Sequence, residues 1–168
     1  MVLDHSEILY LERAKNELDL AKAIFKLSKD SKLKLEFELK EDSTFFSNVI
    51  NNAYYCIFYS AKSYLTAKGI KTEVPQEHKR TFFEFKKLVQ QGVIDAELLN
   101  LYEEVLIRAD TLLHIFKQEK GKRGKFTYKT LPQANQEPAR ESLANAEKFF
   151  KNINLIIQKV GSLGEERT

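Results

Sequence analysis

A chain of 168 residues is long enough to bury a core without metal or disulfide staples and suits a single domain. Apolar residues make up 43% and charged residues 30%, with six Gly and three Pro, which excludes a disordered or collagen-like chain and favours a helix-rich globular one. The formal charge of +3 is unevenly placed: residues 117–129 hold Lys117, Lys120, Lys122, Arg123, Lys125 and Lys129 against Glu119 alone, so that segment is +5 and the remainder −2.

The first helix is expected from Asp4, with Glu7 three residues on completing a capping box, to about Leu27. Ile8, Leu11, Ala14, Leu18, Ala21 and Phe25 form its apolar stripe at helical spacing. The start, Met1 to Glu7, has neither the basic opening nor the apolar stretch of a signal peptide, and no apolar run in the chain approaches the about 20 residues that span a bilayer. A cytoplasmic protein without membrane contact is the expectation.

Leu33-Lys34-Leu35-Glu36-Phe37-Glu38-Leu39 alternates apolar and charged residues, the pattern of a strand with one dry face. Lys125-Phe126-Thr127-Tyr128-Lys129 alternates in the same way, and a lone strand leaves its backbone unpaired, so the two are expected to form a small two-stranded β ribbon.

A second helix is expected from near Ser43 to Lys68, with Gly69 supplying a left-handed stop. It is the most apolar of the helices and is expected to lie centrally. The lone Cys56 cannot make an internal disulfide, and it sits in the apolar run Tyr54-Tyr55-Cys56-Ile57-Phe58, where a thiol reads as a small core residue.

Pro75 suits the start of a third helix ending at Gly92, and Asp95 caps a fourth running to about Gln118. A basic loop follows. Pro138 then reads as a first-turn proline of a last helix stopping near Gly161. The fold class is therefore all-α: an antiparallel up-and-down bundle of four to five helices, carrying the small ribbon. Residues 1–161 form one domain and 162–168 a frayed tail.

No His has a Glu three residues before it, which argues against a di-metal carboxylate bundle site. Zinc, Walker and dinucleotide fingerprints are likewise missing, so neither a metal nor a cofactor is expected. What remains is Leu106-Ile107-Arg108-Ala109-Asp110-Thr111-Leu112-Leu113-His114, an apolar helix interrupted by Arg108, Asp110 and His114. Arg108 and His114 stand roughly 120° apart around an ideal helix and about 9 Å apart along it, so they converge only through Arg's reach, a distorted helix or a second subunit. Spacing alone equally allows Arg108 and Asp110 to be partners in ion pairs and His114 to be a helix-end capping side chain.

The run Asn51-Asn52-Ala53-Tyr54-Tyr55-Cys56-Ile57-Phe58-Tyr59-Ser60-Ala61-Lys62-Ser63-Tyr64-Leu65, then Lys68-Gly69-Ile70, then Glu77-His78-Lys79, resembles the core signature of HEPN-domain proteins, in particular their small prokaryotic branch. Arg108-Ala109-Asp110 resembles that branch's Arg-x-x-Asp-like stretch, and the likeness spans residues 44 to 157. HEPN ribonucleases carry an Arg followed four to six residues later by a His, which Arg108 and His114 match.

The resemblance implies a homodimer in which both Arg/His pairs face a shared cleft. It implies metal-independent RNA cleavage through a cyclic phosphate, with Arg108, His114 and Asp110 as the catalytic set. The protein would be the toxin of a toxin–antitoxin pair, with a cognate nucleotidyltransferase as partner. Lys117, Lys120, Lys122, Arg123 and Lys125 would attract the RNA backbone, with Phe126 and Tyr128 placed to stack on bases. The chain departs from the family pattern in having Ala109 where a polar residue is frequent. It also has Phe116 two positions after His114, where the branch regulated by AMP attachment has its acceptor tyrosine. The alternative within the resemblance is a non-catalytic HEPN adaptor that binds a nucleotidyltransferase or a nucleotide.

Overall fold

A computed structural model describes residues 5–121 and 136–165, with side chains over 6–111 and 136–159. It consists of α1 (His5–Lys29), α2 (Ser31–Glu36), α3 (Phe46–Ala67), α4 (Glu77–Gln90), α5 (Ala96–Gly121) and α6 (Gln136–Glu165). Among the described residues no strand occurs, and no helix is long and apolar enough to cross a membrane.

The apolar α3 packs against α1, α4, α5 and α6, which makes it the central element expected from its composition. Its Val49, Ile50, Ala53, Cys56, Ile57, Ala61 and Leu65 are buried, each apolar side chain of Val or Ile size contributing about 1.5–3 kcal/mol. Ala14 on α1 shares a buried cluster with Ala53 and Ala61 of α3, and Ala21 one with Phe46, Val49 and Ile50, along the seam between the two helices. Three bonds mark that seam: Ser63 Oγ donates to the Glu7 carbonyl at 2.7 Å, Asn52 Nδ2 to Glu17 Oε2 at 2.5 Å, and the Phe45 amide to Ser28 Oγ at 2.9 Å. Partners rising along α1 fall along α3, so α3 runs back along α1.

The ends of α3 and α4 show why glycine stands where it does. Gly69 and Gly92 have φ of 75° and 72°. After α3, the Gly69 amide donates to the Thr66 carbonyl and the Ile70 amide to the Leu65 carbonyl; after α4, Gly92 and Val93 bond Val89 and Leu88 in the same way. Both are Schellman closures, which satisfy carbonyls that a helix end leaves open.

The expected strand over 33–39 is corrected by the structure. Asp30 accepts the amides of Lys32 at 3.0 Å and Leu33 at 3.2 Å, starting the short helix α2. The alternation does not make a dry face: Leu35 is 78% and Phe37 65% exposed, while Lys34 is buried with Nζ on the Glu41 carbonyl at 2.8 Å. A capping carboxylate and one buried lysine stem outweigh the period-two pattern. The proposed strand partner, Lys125 to Lys129, lies outside the described residues, as does Asp4.

Other boundaries shift too. The helix expected from near Ser43 begins at Phe46. The helix expected from Pro75 begins at Glu77, after a cis Val74–Pro75 bond and a left-handed Gln76. Helix α5 continues past Gln118 to Gly121, so Lys117 and Lys120 stand on a helix and not in a loop; the Lys, Gln and Glu residues there are good helix formers. Helix α6 passes through Gly161 to Glu165, because an isolated glycine costs a helix only about 1 kcal/mol.

Candidate functional site

Three residues of α5 make polar links to α6: Glu97 to Lys148, Glu104 Oε2 to Asn145 Nδ2 at 2.8 Å, and Arg108 Nη2 to Glu141 Oε2 at 2.6 Å. Partners rise along one helix and fall along the other, so the seam is antiparallel, and Arg108 is its last described rung. The guanidinium also lies 3.8 Å from Glu104 one turn back and donates through Nη1 to Ser142 Oγ at 3.4 Å. Its side chain is 24% exposed, so it is partly desolvated yet reachable. Glu104, Arg108, Arg140, Glu141, Ala144 and Asn145 surround a concavity of about 430 Å³.

Asp110 is exposed and, two residues after Arg108, stands roughly 200° around the helix on the other side. The structure therefore does not bring Arg108 and Asp110 together. Asp110 lies close enough to Tyr54 to help raise the phenol's pKa, after burial and Tyr55. Residue 114 is described as part of α5 alone, one turn beyond Asp110, with α5 unbroken between positions 108 and 114. The ordinary helical separation of Arg108 and His114 therefore holds within one chain. Lys122, Arg123 and Lys125 lie outside the described residues.

A second constellation was not legible as a site in the sequence. Tyr54, Tyr55 and Phe58 of α3 meet His78 of α4, with Tyr59 beside Tyr55 and Phe58: the imidazole stacks on Phe58 with ring centroids 3.9 Å apart, and its Nδ1 is 2.9 Å from the Tyr54 hydroxyl. Partial burial, then the nearby Lys62 ammonium, lowers the His78 pKa, so the neutral ring is favoured, and its tautomer sets which of Nδ1 and the Tyr54 hydroxyl donates. Lys62 itself is ion-paired with Glu77 and lies 4.6 Å from the Tyr10 ring centre. Four aromatic residues within six positions were the available signal, but their meaning depends on His78 arriving from α4.

Cys56 is buried, with burial pushing the thiol up to about 12, as a core thiol should be. A further concavity at the α1–α2 corner, about 580 Å³, is lined by Phe25, Lys26, Lys29, Asp30, Ser31 and Lys32; its one carboxylate, Asp30, is committed to capping α2. Among the described residues no three His, Cys, Asp or Glu side chains cluster as a metal site. Compared with known proteins, the chain matches no family model, no curated protein and no solved structure.

Proposed function

We propose that this chain is a metal-independent endoribonuclease of the HEPN type, working as a cytoplasmic homodimer and as the toxin of a toxin–antitoxin pair with a nucleotidyltransferase partner. The reading takes residues 1–161 as one antiparallel up-and-down helical domain. The observation that supports it most is the position of Arg108: a permanent cation, partly desolvated at the lip of the α5–α6 concavity, on the same unbroken helix as His114. A guanidinium fork matches phosphate oxygens, and an imidazole exchanges protons near neutral pH.

In this mechanism the ribose 2′-oxygen attacks the adjacent phosphorus while the bond from phosphorus to the 5′-oxygen breaks. One His114 accepts the 2′-hydroxyl proton, and the second protomer's His114 gives a proton to the departing 5′-oxygen. Arg108 offsets the negative charge that builds on the phosphoryl oxygens. A second protomer supplies what one helix lacks, since residues 108 and 114 do not share a face. Lys117, Lys120, Lys122, Arg123 and Lys125 then attract the RNA backbone.

A specific observation favours the adaptor alternative. The Arg108 guanidinium already has Glu141 at 2.6 Å and Ser142 at 3.4 Å as partners, the arrangement of a clamp between helices. Asp110, placed on the other side of α5, is a poor third member of a single active site.

Incubation of the purified protein with mixed RNA in excess chelator separates the two. Cyclic-phosphate ends from wild type, absent with folded His114→Ala and Arg108→Ala, support the ribonuclease. Intact RNA with all three proteins, each still dimeric and binding its partner, replaces it with the adaptor.

A further inference from the structure

Across α1, α3 and α4 runs a continuous row of surface rings. Tyr10 stacks near Tyr59 at 6.4 Å and 11°, Tyr59 near Tyr55 at 6.1 Å and 28°, and Tyr55 meets His78 edge-on at 5.6 Å. His78 then lies against Tyr54 at 5.7 Å and 23°, with Phe58 closing the row from beneath. Tyr55 and His78 are exposed, and Tyr10, Tyr54 and Tyr59 are half-buried, so the row can be reached from solvent at Tyr55 and His78 above all.

Cations border the row. The Arg13 guanidinium sits 5.1 Å from the Tyr59 ring centre, and Lys79 follows His78 on α4, 5.9 Å from the ring of Phe83, itself 53% exposed; Arg80 lies around the other side of α4 and donates to the Glu73 carbonyl at 3.4 Å. Among the described residues Arg13 and Lys79 have no carboxylate within ion-pairing distance, whereas Lys62 has Glu77.

From this juxtaposition we propose that the Tyr10–Tyr59–Tyr55–His78–Tyr54 row is a base-stacking platform for single-stranded RNA, with Arg13 and Lys79 taking the backbone phosphates. Open aromatic faces bind unpaired bases of any sequence, and flanking cations follow the phosphates. A duplex keeps its base faces covered and has nothing to offer the rings. A second copy of the chain docked face to face would set the same unpaired cations against each other, which is unfavourable. The second ring nitrogen of His78 and the Tyr55 hydroxyl, both without a partner among the described residues, are suited to a ribose 2′-hydroxyl, the group that separates RNA from DNA.

The choice of RNA rests on the ribonuclease reading, but the platform itself does not require cleavage. Binding is therefore measured in a His114→Ala background, by anisotropy of a labelled 12-nucleotide oligo(U), against oligo(dT), the matching RNA duplex and inorganic polyphosphate. The expected result is preference for oligo(U), affinity about tenfold lower for Tyr55→Ala and largely kept by Tyr55→Phe. The salt dependence should become shallower for Lys79→Ala. Tyr55 is exposed, so its truncation leaves the core alone, and circular dichroism checks that it does.

Equal affinity of Tyr55→Ala and its parent overturns the platform, as does polyphosphate or duplex binding as tight as oligo(U). Dimers that fall apart on Tyr55→Ala assign the face to a second copy instead and overturn it equally. Equal affinity for oligo(dT) overturns the assignment to RNA. Stacking on the row with no cleavage by wild type sinks the ribonuclease alone, and cleavage that survives Tyr55→Ala with unchanged binding sinks the platform alone.

Discussion

Tyr102 offers a test of the packing around which both surfaces are built. Its side chain is completely buried, ringed by Phe82 at 5.2 Å, Phe149 at 5.8 Å and Phe85 at 5.9 Å between centroids, and its hydroxyl has no hydrogen-bond partner among the described residues. A hydroxyl taken from water without a new partner costs about 1–3 kcal/mol. Tyr102→Phe removes that oxygen while keeping the ring and its edge-to-face contacts, and the void it leaves is too small to cancel the gain. The variant should be more stable by about 1–2 kcal/mol, with a Tm higher by about 2–6 °C for a domain of this size. Urea unfolding checks this: the midpoint should rise with an unchanged slope, since the surface exposed on unfolding is the same. A loss of stability greater than about 0.5 kcal/mol would refute the reasoning, because it would mean that the hydroxyl is satisfied in the folded protein.

Two titratable groups give further checks. Because His78 has its pKa lowered from the ordinary 6.5 by partial burial and by Lys62, the unfolded chain takes up this proton first as pH falls. Its contribution to stability is therefore full above about pH 6.5 and is lost as pH drops toward the folded value; an NMR titration of the ring should give a midpoint below 6.5, and a midpoint at or above it counts against the stacked geometry. Cys56, whose thiol burial pushes up to about 12, should resist a thiol reagent at pH 8 in the folded protein and react fully in urea. Immediate stoichiometric labelling of the native chain would contradict its place in the core.

The two surfaces ask different things of the same helices. Arg108 is held by α6, so a phosphate at that point competes with Glu141 for the guanidinium. The ring row has no such competitor: its cations are without ion-pair partners among the described residues, and its rings are fixed from below by Phe58 and by the Tyr54–His78 bond. A nucleic acid engaging both would meet a preformed stacking surface and a cation that must exchange one anion for another. The Asp110 carboxylate, near enough to Tyr54 to affect it, lies on the side of α5 toward the row and away from the Arg108 seam.

Patterns that act within a few residues were legible in the sequence. The helical stripe of α1 apart from Ile8, which is exposed, the glycine closures after α3 and α4, the Asp95 cap, whose carboxylate accepts the Glu97 amide at 2.8 Å, and the burial of Cys56 all follow from local spacing and side-chain chemistry. Where two local signals competed, at 33–39, the pattern misled: alternation pointed to a strand, while Asp30 and the Lys34 stem favoured a helical turn. Tertiary structure alone decided the rest. That Arg108 meets Glu141, 33 positions away, and that Tyr54 meets His78, 24 positions away, depends on how helices cross, and no periodicity within one helix carries that information. The sequence by itself determined most of the dry face of the long helices, though not the face at 33–39. Only packing decided which polar residues at the edges of those faces meet, because that is set by side chains from several helices at once.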